Sequence, residues 1–214
     1  MEQPSLDECA LKHGTDKSSR FHDYCHIYER ELPKKVRVLV ELGVLRGASI
    51  RMWRDYYPDA SIFGVDIDDI SLSEAFFIQC DLSKAGNLTN LCQQLGDEVE
   101  VLIDDAGHES YNQFLAFNHL WPCIKPGGVY VVEDTHTSYE SKFTDDRGFH
   151  FNMVEWLKTL VDVIHWQGRD GRQGSRHNKA GHELTPHEET VESITFYKSL
   201  CFIRKCKRKA GAVV

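Results

Sequence analysis

Short β-branched segments alternate with longer amphipathic stretches along most of this chain, and this alternation restricts its fold more than any other feature. Segments that predict strands lie at 36–42, 61–66, 76–81, 100–103 and 129–133, and stretches that predict helices reach residue 56 and cover 88–95, 111–121 and 149–165. Such alternation is typical of βαβ units around a parallel sheet. Two further segments, 192–197 and 200–204, predict an antiparallel pair at the sheet edge.

The length and composition fit one domain. The chain has 214 residues, of which 41% are hydrophobic, so it can bury a sizeable core. We expect residues 1–35 to be a helical and loop segment that packs on a domain formed by residues 36–214. The polar, glycine-rich stretch 167–189 predicts a long loop, and the basic run 204–209 predicts a solvated tail.

Charge and cysteine content exclude several classes of protein. The net charge of −8 argues against a nucleic-acid binder, and no segment predicts a signal peptide or a membrane span. The seven cysteines show no CxxC pair and no spacing typical of disulfides, which favours the reducing cytoplasm. These features argue against nucleic-acid and membrane partners, and they leave a homo-oligomer open.

An acidic residue stands at the end of each of the five consecutive predicted strands. These residues are Glu41, Asp66, Asp81, the pair Asp104 and Asp105, and the pair Glu133 and Asp134. Ligands of open parallel sheets bind beyond the carboxyl ends of the strands. Each acid alone could cap the next helix, because aspartate is a favoured N-cap, but caps do not require acids in every loop on one edge. The set therefore indicates a binding site.

The two acidic pairs and the nearby His108 also suit metal chemistry. Three carboxylates from neighbouring strand ends offer hard oxygen ligands, as Mg²⁺ requires. The ion could orient a hydroxyl group and lower its pKa, and His108 could take the proton. Two alternatives stay open: the acids could hold a structural metal or form caps, and His108 could be a hydrogen-bonding residue at the start of a helix.

The stretches ELGVLRG, GVDID, VLIDDAGH and PGGVYVVEDTHTSY resemble class I S-adenosylmethionine-dependent methyltransferases. More narrowly, they resemble the metal-dependent macrolide sugar O-methyltransferases, which act on sugar hydroxyls of glycosylated natural products. The segment HGTDKSSRFHDYCHIYE resembles the part of those enzymes ahead of the first strand, so the similarity covers residues 13–140. The predicted fold class is α/β, a Rossmann-like three-layer sandwich with a mostly parallel seven-stranded sheet and an antiparallel C-terminal strand.

The resemblance implies a set of residues that bind S-adenosylmethionine: Thr15, Asp16, Glu41, Gly43, Gly47, Ser49, Asp66, Asp81 and Asp104. In it, Asp66 holds the ribose hydroxyls and Asp81 lies beside the adenine. Asp104 either faces the cofactor or caps the next helix. The glycine segment lacks the middle glycine common in methyltransferases, and Arg46 stands near that position.

The resemblance also implies that Asp105, Glu133 and Asp134 bind Mg²⁺ or another hard divalent cation, and that His108 is the general base. The leading hypothesis is a Mg²⁺-dependent O-methyltransferase for a small, glycosylated acceptor. The alternatives are a catechol-type O-methyltransferase, an NAD-dependent oxidoreductase and an inactive methyltransferase-like binding subunit. A G-x-G-x-x-G run after the first strand is absent, which argues against the oxidoreductase.

Overall fold

The computed structural model describes residues 3–70, 72–143, 151–166 and 185–207, which form one seven-stranded sheet flanked by helices. The strands are β1 (Val38–Leu42), β2 (Ser61–Asp66), β3 (Phe76–Gln79), β4 (Val99–Asp104), β5 (Ile124–Val132), β6 (Val191–Tyr197) and β7 (Leu200–Lys205). The helices are α1 (Leu6–His13), α2 (Cys25–Glu31), α3 (Ala48–Tyr56), α4 (Ala85–Leu95), α5 (Ser110–Leu120), α6 (Met153–Ile164) and α7 (Pro186–Thr190). Short 3-10 turns cover Trp121–Cys123, Thr135–Tyr139 and Ser141–Phe143.

The strand order is β3-β2-β1-β4-β5-β7-β6, in which β1 to β5 are parallel and β7 is antiparallel to both of its neighbours. This topology confirms the predicted fold class. The direction of winding reverses between β1 and β4, which is the place where ligands of such sheets bind.

Side chains of the central strands alternate between two apolar clusters, one on each face of the sheet. In β4, Val101 and Ile103 pack into a cluster that also holds Leu6 and Tyr28 of the N-terminal segment. Leu102, between them, joins the opposite cluster with residues of α4, α5 and α6. The alternation follows from the period of two in a strand, and it makes the N-terminal segment part of one helical layer.

Backbone hydrogen bonds hold the loops that follow the central strands at one edge of the sheet. The amide of Gly43 donates to the carbonyl of Val65 at 2.8 Å, and the amide of Asp105 donates to the carbonyl of Leu42 at 2.9 Å. The ends of β1, β2 and β4 are therefore level with one another.

The residues KPGG at 125–128 predict a turn ahead of the fifth strand, but this prediction is wrong, because these residues lie inside β5. The pairing of β4 with β5 shifts register between Val99 and Val101, as at a β-bulge. Gly127 has a φ of +80°, and a Cβ on Gly128 would lie 3.0 Å from the carbonyl oxygens of Val99 and Glu100. The glycines therefore permit a close and irregular strand pairing instead of a turn.

Two predictions near the C-terminus also require correction. Residues 185–189 of the predicted loop belong to α7 and its cap. Thr185 is the N-cap and forms a capping box with Glu188, and Pro186 occupies the first position of the helix. Residues 167–184 of that loop lie outside the described residues.

The basic run is only partly a tail. Arg204 and Lys205 belong to β7, where Arg204 binds Glu31 at 2.9 Å and Lys205 donates to the carbonyl of Ile124 at 2.7 Å. The strand extends this far because both cations find acceptors on neighbouring elements. Residues 208 and 209 of the run lie outside the described residues.

The helix predicted at 149–165 occupies Met153–Ile164, with Asn152 as its N-cap, and residues 149 and 150 are not described. The sulfur atoms of Cys92 and Cys123 lie next to each other between α4 and the turn after α5, a pairing that the cysteine spacing does not indicate. The two lie on elements that pack together, which sequence spacing alone does not show. No helix in the described parts of the chain is long and apolar enough to span a membrane.

Candidate functional site

A cavity of about 810 Å³ lies at the carboxyl edge of the sheet, between the loops that follow its central strands and residues 14–16 of the N-terminal segment. Most of the predicted site residues line it: Thr15, Asp16, Gly43, Ser49, Asp66, Asp81, Asp104, Asp105, His108 and Asp134. The other three, Glu41, Gly47 and Glu133, are buried and are not among the lining residues. The fold therefore gathers the acids of all five strand ends around one place.

The loop after β1 is fixed by the carboxylate at the end of β2. Asp66 Oδ2 accepts hydrogen bonds from the amides of Val44 at 2.7 Å and Leu45 at 3.0 Å. Its Oδ1 accepts a further bond from the amide of Asp68 at 3.2 Å. Each carboxylate oxygen can accept more than one hydrogen bond, so Asp66 is both anchored and free to accept from a ligand.

Glycine is required at the start of the same loop. Gly43 has a φ of +86°, and a Cβ there would lie 2.2 Å from the carbonyl oxygen of Asp105. The loops after β1 and β4 thus approach each other more closely than any side chain would permit. This contact brings the predicted cofactor loop against the predicted metal ligand.

Asp81 and Asp104 are bonded mainly within the protein. Asp81 Oδ1 accepts hydrogen bonds from the amide and the hydroxyl of Ser83, which lower the pKa of Asp81. Asp104 is 2% exposed and accepts from the hydroxyl of Tyr130 at 2.9 Å. Burial raises the pKa of Asp104 to about 7. Both acids line the cavity, but each also stabilises its own loop or strand.

Asp105, His108 and Asp134 form a group in which one potential metal-ligand atom of each residue lies within 4.8 Å of the others. The loop after β4 supplies the first two, and the end of β5 supplies the third. His108 Nε2 lies 3.7 Å from Asp134 Oδ2. Two hard carboxylates beside an imidazole can serve a divalent cation and also a proton transfer.

Two members of this group have unusual backbones. His108 has a φ of 62° and Asp134 has a φ of 52°, both in the left-handed region that residues other than glycine rarely adopt. The Nδ1 atom of His108 is buried and lacks a hydrogen-bond partner among the described residues. Strain and unsatisfied polar atoms of this kind concentrate at functional sites.

Glu133 lies behind this group and is bonded to the N-terminal segment. Its carboxylate accepts a hydrogen bond from Lys17 Nζ at 2.9 Å and a very short one from the hydroxyl of Tyr28. Lys17 also donates a very short hydrogen bond to Asp105, and its Nζ lies 3.6 Å from Glu41. One ammonium group therefore connects three of the predicted site carboxylates.

The charges of this cluster depend on one another because Lys17, Glu41 and Glu133 are buried and the side chain of Asp105 is only 20% exposed. Burial alone lowers the pKa of Lys17, but Asp105, Glu133 and Glu41 outweigh it and raise the pKa well above its usual value. Burial and the charge of Asp105 raise the pKa of Glu133 well above its usual value. Burial also raises the pKa of Glu41 to about 7. Lys17 is therefore the charge that permits the carboxylates to lie together.

The sequence analysis did not identify Lys17, Tyr24 or Tyr28. The hydroxyl of Tyr24 donates to Asp134 Oδ1 at 2.5 Å, so each of the three donates to a predicted metal ligand. Two signals were available: Lys17 directly follows Thr15 and Asp16, and a cluster of carboxylates requires a cation.

Comparison with known proteins gives related enzymes but no matching family model. The chain is 34% identical over 219 residues to the 8-demethyl-8-alpha-L-rhamnosyl tetracenomycin-C 2'-O-methyltransferase of Streptomyces olivaceus, covering 94% of this chain and 55% of that protein. It is 30% identical over 186 residues to the L-olivosyl-oleandolide 3-O-methyltransferase of Streptomyces antibioticus, covering 78% of this chain and 48% of that protein.

Among solved structures, the MycE methyltransferase of the mycinamycin biosynthetic pathway, in complex with Mg and SAH, has a TM-score of 0.81 and 26% identity. The match covers 96% of this chain and 55% of the MycE chain. A second MycE complex also contains mycinamycin VI. The chain spans about half the length of the curated relatives that it matches.

The sheet topology and the MycE match define the class: the chain has the Rossmann-like fold of class I methyltransferases. Its homologues are O-methyltransferases of sugar-bearing macrolides and tetracenomycins. The resemblance read from the sequence is thereby confirmed.

Proposed function

We propose that this protein is an S-adenosylmethionine- and Mg²⁺-dependent O-methyltransferase that acts on a hydroxyl group of a glycosylated small molecule. One observation carries the proposal. A single cavity connects the loop and acid at the ends of β1 and β2 with the group formed by Asp105, His108 and Asp134. The names of the homologues and the MycE complex with Mg and SAH support the same assignment.

The cofactor side of the cavity would use the residues that line or support the loops after β1, β2 and β3. Asp66 would accept hydrogen bonds from the ribose hydroxyls, and Asp81 would lie beside the adenine. When bound, S-adenosylmethionine supplies an electrophilic methyl group on a positively charged sulfur. We assign to this side Thr15, Asp16, Glu41, Gly43, Gly47, Ser49, Asp66, Asp81 and Asp104.

The acidic side would hold the divalent cation. Asp105 and Asp134 present carboxylate oxygens close to one another, and no thiolate belongs to the group, which fits a hard ion such as Mg²⁺. Glu133 is assigned as a third ligand from the resemblance, although its carboxylate now accepts from Lys17 and Tyr28. When bound, the ion lowers the pKa of the acceptor hydroxyl and fixes its orientation.

His108 would accept the proton of the acceptor hydroxyl. Its imidazole lies beside Asp134, whose negative charge stabilises the imidazolium that forms. The remaining contribution of the protein is positioning: the cavity would hold the hydroxyl oxygen in line with the methyl group while its walls exclude water.

The acceptor is a small molecule that carries a sugar, as the names of the homologues and the MycE complex with mycinamycin VI suggest. We further propose that the protein is located in the cytoplasm and binds neither nucleic acid nor a membrane. Its oligomeric state, monomer or homo-oligomer, is to be measured in solution. The division into an N-terminal segment at 1–35 and a methyltransferase domain at 36–214 is also part of the proposal.

A methyl-transfer assay tests the proposal directly. The full chain is incubated with S-adenosylmethionine labelled in the methyl group and with an acceptor panel: a rhamnosylated polyketide, a glycosylated macrolide, the matching aglycones and a catechol. We expect label in a glycoside, dependence on added Mg²⁺, and loss of transfer in excess chelator. Transfer only to the catechol would favour the catechol-type alternative. Absence of transfer together with NAD binding would favour an oxidoreductase.

A further inference from the structure

The segment between α1 and the middle of α2 supplies side-chain donors to all three predicted metal ligands. Lys17 donates to Asp105 and Glu133, and the two tyrosines, Tyr28 and Tyr24, donate to Glu133 and Asp134. These partners are 88 to 116 residues apart in sequence. The N-terminal segment is therefore built into the acidic centre and is more than a layer packed on the sheet.

Lys17 occupies the middle of this arrangement. Its side chain is 1% exposed, and its ammonium group lies between Asp105, Glu133 and Glu41. An ammonium group has three donors and no acceptor, and here it donates to Asp105 and Glu133 and forms an ion pair with Glu41 at 3.6 Å. Few other side chains could hold three carboxylates at fixed directions from a single point.

This contact decides which way the ligand oxygens face. A carboxylate that accepts a hydrogen bond with one oxygen has the other oxygen directed elsewhere, and Lys17 Nζ contacts Oδ2 of Asp105 and Oε2 of Glu133. The second oxygen of Glu133 accepts from Tyr28, so the N-terminal segment fixes both oxygens of that carboxylate. Without Lys17, the carboxylates would repel one another and rotate apart. Groups that orient metal ligands in this way contribute strongly to metal affinity.

We propose that Lys17 is a positioning residue that fixes the carboxylates of Asp105 and Glu133 for binding of the divalent cation, with Tyr24 performing the same task for Asp134. The inference rests on the proposed function, since it concerns the metal of that site. In this proposal, side chains of the N-terminal segment hold the metal ligands in place.

Calorimetric titration of the full chain with Mn²⁺, without cofactor or acceptor, tests the inference. We expect Lys17→Met, which keeps most of the length of the side chain and removes its ammonium group, to bind Mn²⁺ roughly 10- to 100-fold more weakly than the wild-type protein. The matched control is Lys12→Met: Lys12 is also paired with an aspartate, Asp55, but that pair is exposed and away from the cavity. This variant should bind Mn²⁺ as the wild type does.

Two further variants, Lys17→Arg and Tyr24→Phe, test the inference independently of Lys17→Met. Lys17→Arg keeps the charge and should recover part of the affinity, which a purely space-filling role would not predict. If Lys17→Met does not fold, Tyr24→Phe, which removes one hydroxyl, should still weaken Mn²⁺ binding several-fold. Equal or tighter binding by the folded variants overturns the inference alone. A wild-type protein that binds no Mn²⁺ contradicts the proposed metal dependence, and this inference with it.

Discussion

The two sides of the cavity are built by different means. On the cofactor side, the carboxylates of Asp66 and Asp81 are held by backbone amides and a hydroxyl of nearby loops. On the acidic side, Asp105, Glu133 and Asp134 are held by side chains of the N-terminal segment, about 90 to 120 residues away. The partners on the cofactor side lie only 2 to 22 residues away.

This difference follows from the charge that each side carries. Single carboxylates near solvent need only a few amides, which a turn or an adjacent loop supplies. A buried cluster of like charges needs a nearby cation and additional hydrogen bonds to offset the loss of solvation. We therefore expect the acidic side to be sensitive to single substitutions in its own ligands and in the residues of the N-terminal segment that hold them.

The largest effect is expected for Asp105→Asn. This substitution removes a charge from both the metal-ligand group and the contact with Lys17, so we expect methyl transfer to fall by about 1,000-fold or more. Binding of S-adenosylhomocysteine, measured by calorimetry, should change little. A control is Asp59→Asn, which alters an exposed acid before β2, at the opposite edge of the sheet.

Equal losses of cofactor binding and methyl transfer in Asp105→Asn would contradict the division into two sides. They would mean that this carboxylate organises the whole cavity. Methyl transfer at the wild-type rate would remove Asp105 from the metal site altogether.

A smaller loss is expected for His108→Asn. Asparagine tolerates the left-handed backbone of this position, so the substitution removes the imidazole without adding strain. If His108 is the general base, turnover should fall by roughly 100-fold or more, with little change in the affinities for cofactor and Mn²⁺. Steady-state kinetics and calorimetry separate these effects. Unchanged turnover would exclude His108 as the base.

Glu41 is assigned to the cofactor side, but it also lies 3.6 Å from Lys17 Nζ, so Glu41→Gln tests the electrostatics around Lys17 by its pH dependence. Burial raises the pKa of Glu41 from 4.5 to about 7, so the folded state binds this proton more tightly than the unfolded state does. The resulting stability is fully present below pH 4.5 and is lost as the pH rises through 7. This group should therefore reduce the free energy of unfolding by roughly 3 kcal/mol over that range.

Chemical denaturation at several pH values measures this effect. The Glu41→Gln protein should lack this part of the decrease and show a flatter profile than the wild type. If the free energy of unfolding depends on pH in the same way in both proteins, the raised pKa of Glu41 is contradicted.

The smallest effect is expected on the cofactor side. Asp66→Asn keeps one acceptor for the amides of Val44 and Leu45 but removes the charge that would face the ribose. We expect affinity for S-adenosylhomocysteine to fall about tenfold, as for loss of a hydrogen bond to a charged group. Affinity for Mn²⁺ should stay within about twofold of the wild type, because among the described residues Asp66 shares no hydrogen-bond partner with the metal-ligand group, and substitutions at independent sites have little effect on one another. A larger loss of Mn²⁺ binding would show that the two sides of the cavity are energetically coupled and are not independent.

The same contrast explains what could be predicted from the sequence. The strands, their order of appearance and the acids at their ends are local features, so periodicity and composition revealed them. The segment at 125–128 has the residues of a turn, and only the register of β4 against β5 shows that it is a bulge. The cap at Thr185 was readable from Thr185 and Glu188, but the polar composition around it obscured the signal.

The support of the acidic side could not be derived in the same way. Lys17 has no local partner that marks it, since each of its acceptors lies on a distant strand. The resemblance indicated the segment around Thr15 and Asp16 but assigned no role to the lysine. Long-range charge pairing depends on the folded arrangement, and sequence spacing does not encode it.

The central claim is that Asp105 and Asp134 bind a divalent cation beside the cofactor. A crystal structure with S-adenosylhomocysteine and Mn²⁺, with data collected at the manganese absorption edge, tests it most directly. We expect one anomalous peak in the cavity, at about 2 Å from carboxylate oxygens of both residues, with Lys17 still bonded to Asp105. A peak elsewhere, or a cavity that holds the cofactor without any metal at saturating Mn²⁺, would contradict it.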